Sequence, residues 1–92
     1  MQPGDRVLVH QFAGGDQWIY ANVVQPREDG GALVLVDHPA NHEHGQMKNV
    51  KREGLRTKAD LLPLQEEART ITDREERKRW TAHYAYQIEQ LS

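Results

Sequence analysis

The residues of this chain best equipped for chemistry sit in one short stretch. His38, His42 and His44 stand beside Asp37 and Glu43, and imidazole with carboxylate is a ligand set that suits zinc or nickel. A structural metal site asks for four fixed ligands, and no second matching pair occurs elsewhere, so the stretch reads as a polar loop and no metal is expected. Nucleophilic chemistry has less to work with. There is no cysteine, and the one serine is Ser92 at the end of the chain, a frayed position unsuited to activation. Glu66-Glu67 and Glu75-Glu76 are adjacent on presumed helix and point in different directions, so they build no carboxylate dyad. Gly14-Gly15 and Gly30-Gly31 are turn pairs without the helix start that a phosphate loop needs. The expectation is no enzyme and no cofactor.

Binding chemistry is better represented. Phe12, Trp18 and Tyr20 bring three aromatic rings to the first third of the chain, and His38 adds a ring from the loop. Together they offer an aromatic loop face for a protein or peptide partner, unless they simply fill a core. Lys48, Lys51, Arg52, Arg56 and Lys58 fall within eleven residues opposed only by Glu53. That segment either meets phosphates, in an accessory protein for nucleic acid, or faces water as a solvated loop.

The elements that must position these residues follow from the apolar pattern. In a chain of 92 residues with 37% hydrophobic and 28% charged residues, one domain is expected. Net charge near −2 argues against bulk electrostatic coating of nucleic acid. No apolar run approaches the ~20 residues of a membrane span, and no secretory signal is expected at the N-terminus. The cytoplasm is the expected compartment.

Val7 and Val9 alternate as in a half-buried strand, and Ala13-Gly14-Gly15-Asp16 supplies the turn into Trp18 to Val24. Gln25 to Gly31 combines a proline stop with an Asp-Gly turn, and Ala32 to Val36 follows as a third strand. Its almost purely apolar sequence places it at the barrel's centre. Gln46 to Arg52 reads as a fourth strand. Leu55 to Leu64 contains a turn and a last short strand or 3₁₀ turn ending at Pro63.

The C-terminal third is helical. Gln65 to Arg69 forms one short turn, then Thr72-Asp73-Arg74-Glu75 fits a capping box opening a helix to about Leu91. Trp80, Tyr84, Ile88 and Leu91 make one apolar stripe. It packs on the strands of its own chain, on another copy or on another protein, which makes a homo-oligomer one of the arrangements open to it.

From Gly4 to Leu64 the pattern resembles the Tudor branch of the SH3-like barrels. Val7 to Phe12, a Gly-Asp turn, Trp18 to Val24, Val34 to Asp37, then Asn41 and Asp60-Leu61-Leu62-Pro63-Leu64 occur in the family's order. Tudor modules hold methylated Lys or Arg in an aromatic cage with a nearby Asn. The resemblance implies cage positions at Phe12 and Tyr20 and a cage Asn at Asn41, while Val36 and Pro39 stand where the family has further aromatics. Gly4-Asp5-Arg6-Val7 and His38-Pro39 also resemble the small plasmid-borne dihydrofolate reductases. That family's Val-Gln-Ile-Tyr strand is replaced by Gly45-Gln46-Met47-Lys48, so folate reduction is not expected. The expected architecture is mainly β with a C-terminal helix: an SH3-like, Tudor-like five-stranded barrel over residues 1–64, then one α-helix within 65–92.

Overall fold

The computed structural model describes residues 1–11 and 17–92. Its strands are β1 (Arg6–Gln11), β2 (Gln17–Pro26), β3 (Ala32–Val36), β4 (Met47–Val50) and β5 (Leu55–Arg56), with a 3₁₀ turn at Arg52–Gly54. Two helices follow, α1 (Lys58–Ala68) and α2 (Arg74–Gln90). The chain divides into two compact units, Met1–Arg56 and Thr57–Ser92. Phe12 and the turn expected at Ala13 to Asp16 lie outside the described residues.

All five strands pair antiparallel in the linear order β4-β3-β2-β1-β5. β2 is long enough to serve both neighbours: its first half faces β1, from Gln11↔Gln17 to Arg6↔Asn22, and its second half faces β3, from Ala21↔Val36 to Pro26↔Ala32. A β-bulge between Val23 and Gln25 interrupts the second ladder, the usual device for bending a strand that must serve two directions. Side chains alternate along each strand. Val7, Val9, Ile19, Ala21, Val23, Ala32, Val34, Val36 and Leu55 gather on one face as a core, with Val50 packed against it.

β3 lies in the interior of the sheet, between β2 and β4; Ala32, Val34 and Val36 are buried, Leu33 is half-buried and Leu35 is exposed. The turn before it is tight. Gly31 donates its N–H to Asp29 Oδ1 at 2.8 Å, and a Cβ at this position would collide with the Val50 carbonyl oxygen.

Within the span Leu55 to Leu64, expected to hold a turn and a last short strand or 3₁₀ turn ending at Pro63, a short strand is present at its start as β5 (Leu55–Arg56), but Asp60 to Leu64 is helix, inside α1. Thr57 is its N-cap: Thr57 Oγ1 accepts from the Asp60 N–H at 3.3 Å, and Asp60 Oδ2 accepts from the Thr57 N–H at 2.8 Å. This reciprocal capping box starts the helix ahead of Leu61. Pro63 sits inside it, where it removes one intrahelical donor. The one helix expected is therefore two among the described residues.

α2 begins one residue later than the Thr72 box implies. Asp73 is the N-cap, its carboxylate accepting from the Glu76 N–H at 3.0 Å. α1 and α2 pack on each other. Leu64, Glu67, Ala68 and Ile71 line a cavity of about 290 Å³ with Trp80 and Tyr84. The Trp80 end of the stripe thus faces α1, of which the sequence indicates only the short turn at Gln65 to Arg69; Tyr84 and Ile88 are half-buried and Leu91 is buried. Among the described residues, no helix is long and apolar enough to cross a membrane.

Candidate functional site

Alternation along the strands sends Arg6, Leu8 and His10 of β1, Trp18, Tyr20 and Asn22 of β2, Leu33 and Leu35 of β3, and Met47 of β4 to the face opposite the core. Leu8 is fully buried there. The other residues meet solvent to varying degrees, and they form three neighbourhoods.

In the first, Tyr20 stacks on His38, ring centroids 5.3 Å apart and planes 18° apart. The Tyr20 N–H donates to His38 Nδ1 at 3.2 Å. Arg6 lies over the Tyr20 ring, 5.1 Å from its centroid, and bonds Asp37 Oδ2 at 2.8 Å. That bond from Arg6 holds the Asp37 carboxyl below the usual carboxylate range against the opposing cost of burial, with smaller help from Asn22 and the charge of His44. A cation–π position on Tyr20 is thus filled by the chain's own guanidinium.

In the second, Trp18 meets His10 edge to face at 5.0 Å, and Arg56 lies over its indole at 4.1 Å. Trp18 and Tyr20 each carry an arginine on one ring face. The expected partner-binding residues therefore split: Tyr20 joins His38, Trp18 joins Arg56, and Phe12 lies outside the described residues.

Asn41 belongs to neither group. Its Nδ2 donates to Gln11 Oε1 at 3.0 Å, and its Oδ1 accepts from the Glu43 N–H at 2.9 Å. With Gln11 only 2% exposed, Asn41 fastens the β3–β4 loop to the end of β1. The loop histidines are similarly engaged. His44 Nδ1 accepts from the His38 N–H at 3.1 Å, and His42 Nε2 is 3.5 Å from Gln11 Nε2. Among the described residues they do not converge with Asp37 and Glu43 as a metal-ligand set.

The basic segment is partly committed. Lys48 lies opposite Val34 in the β3–β4 ladder and bonds Glu43 at 2.9 Å, Arg52 donates to the Leu55 carbonyl at 3.0 Å, and Arg56 covers Trp18. Lys51 is exposed beside a cavity of about 180 Å³ lined by His10, Lys48, Asn49, Val50, Glu53 and Gly54. Lys58 is exposed at the first position of α1.

The third neighbourhood was missed in the sequence. Leu35 and Met47 are directly opposed across β3 and β4, and they are 37% and 52% exposed. Val24, at the β2 bulge, is 40% exposed. Arg27 bonds Asn49 at the rim. The signal was present as an apolar residue at every position of β3, but such a run reads equally as a strand buried on both faces. Comparison with family models, with curated proteins and with solved structures finds no match to this chain, so the case for function rests on these three neighbourhoods.

Proposed function

We propose that this chain is a non-enzymatic binding module, an SH3-like barrel of the Tudor-like branch, which engages a protein partner through the sheet face opposite its core. The order β4-β3-β2-β1-β5, with the last strand returning to the free edge of the first, suits a small five-strand barrel. The observation that carries the function is the Leu35–Met47 pair: two large apolar side chains joined across a ladder and left exposed. Contiguous exposed apolar surface is characteristic of interaction sites. The same face continues through Asn22, opposite Leu35, to Tyr20 and Arg6. Tyr, Trp, Arg and Met are the residue types enriched at interfaces.

The competing reading, a nucleic-acid accessory protein using Lys48, Lys51, Arg52, Arg56 and Lys58, draws support from the Trp18–Arg56 stack. It is weakened because Lys48, Arg52 and Arg56 already have partners in the chain.

A photo-crosslinking residue at Met47, expressed in the host, tests the proposal. A defined protein crosslinked from this position, lost with Leu35→Lys and retained after nuclease and at high salt, is the expected result. Crosslinks unaffected by Leu35→Lys would overturn the assignment of the face. Crosslinks abolished by nuclease would transfer it to the basic segment, and a crosslink to a second copy would make the partner the chain itself.

A further inference from the structure

We propose that the loop joining β3 to β4 is a proton-operated latch, held closed by the neutral rings of His38 and His44. The Asp37 N–H still reaches the Tyr20 carbonyl at 2.9 Å, just past the end of β3. The Tyr20 N–H is then taken by a side chain, His38 Nδ1, at 3.2 Å. The His38 N–H is taken in turn by His44 Nδ1 at 3.1 Å. Two imidazoles thus act in series as acceptors for backbone donors.

A ring nitrogen accepts only when it carries no proton, so this geometry fixes both rings as the neutral Nε2–H tautomer. A proton added to either ring sets N–H against N–H and breaks that link. Imidazole changes charge between about pH 5 and 8, so the latch answers to mild acidity.

The charged and titratable surroundings shape the opening. From β1, Arg6 stands over the Tyr20 ring on which His38 stacks. Within the loop, the Asp37 carboxylate is paired with Arg6 at 2.8 Å. Glu43, bonded to Lys48 of β4, and His42, close to Gln11, lie in the same loop. The Asn41–Gln11 amide pair does not titrate. The middle of the loop therefore stays fastened while its contacts at Tyr20 and His38 let go. The inference does not depend on the partner reading, although release would reshape the Tyr20 edge of that face.

Nuclear magnetic resonance of the whole chain tests it. At about pH 8, long-range nitrogen spectra are expected to show both rings neutral and protonated at Nε2. Between about pH 8 and 5, amide exchange at Tyr20 and His38, corrected for its intrinsic pH dependence, should rise about tenfold, as expected for loss of one hydrogen bond. The Val7 and Val34 amides should not follow. His38→Asn with His44→Asn keeps an acceptor oxygen near each Nδ1 position but removes the titration, so its amides should show no acid response. An Nδ1–H tautomer on either ring at the higher pH would overturn the latch, as would an unchanged acid response in the double variant. The tautomer measurement needs no variant to fold.

Discussion

Gln11 and Asn41, at the end of β1 and in the β3–β4 loop, exchange amide hydrogen bonds in both directions, at 3.0 and 3.4 Å. Because Gln11 is almost fully buried, Asn41→Ala leaves its amide without this partner, and the expected cost is about 1–3 kcal/mol. Gln11→Leu combined with Asn41→Leu should recover much of that loss, since removing both partners leaves no polar group stranded. Urea unfolding of the single and double variants measures the coupling.

The two faces of the sheet should respond differently to truncation. Leu8→Ala, at a fully buried position, is expected to cost about 2–5 kcal/mol. Leu35→Ala, at a position 37% exposed, should change stability by about 0.5 kcal/mol or less. A large loss at Leu35 in thermal or urea unfolding would mean that its side chain is needed for folding rather than left available to a partner.

Acid should weaken the Arg6–Asp37 bond. The folded Asp37 carboxyl ionises below its ordinary value, chiefly because of Arg6. Its contribution to stability is therefore present above the ordinary carboxylate range and lost as pH falls through the lowered folded value. Asp37→Asn should be less stable than the wild type at neutral pH, with the difference closing in strong acid. Melting temperatures across a pH series decide this.

Arg56 over Trp18 gives a spectroscopic prediction. In a Trp80→Phe background Trp18 is the sole indole, and Arg56→Leu should move its emission while costing about 0.5–1 kcal/mol. An unchanged spectrum would show that the guanidinium does not rest on the ring in solution.

Thr57→Ala removes one half of the α1 capping box and should cost about 0.5–2 kcal/mol. Loss of helical circular dichroism ahead of the sheet signal would locate the effect in α1.

What was legible in the sequence divides along physical lines. Strands with alternating or β-branched patterns were found close to their observed bounds, because pleating imposes a period of two on any sheet with one buried face. α2 was found from its stripe and cap, with an error of one residue, since Thr72-x-x-Glu75 and Asp73-x-x-Glu76 both suit a helix start. α1 was hidden by Pro63, which reads as a stop, although Thr57-x-x-Asp60 already carried the capping signal. At the candidate site, of the rings expected on one face, Phe12, Trp18, Tyr20 and His38, Tyr20 stacks on His38, while Trp18 lies under Arg56. Arg6 with Asp37, and Leu35 with Met47, are cross-strand relationships that depend on register, which local pattern does not supply.

The apolar character of β3 on both sides has a cost in folding specificity. A strand whose two faces look alike to water has little hydrophobic preference against slipping by one residue, a shift that would exchange Val34 for Leu35 in the core. The discrimination must come from shape at its ends. Gly31 contributes to it, because a Cβ there would collide with the Val50 carbonyl oxygen, and a slip that brought Ala32 to that place would meet the same oxygen. The same five residues can therefore leave Leu35 exposed and still disfavour one direction of slip, through a close backbone approach in the turn.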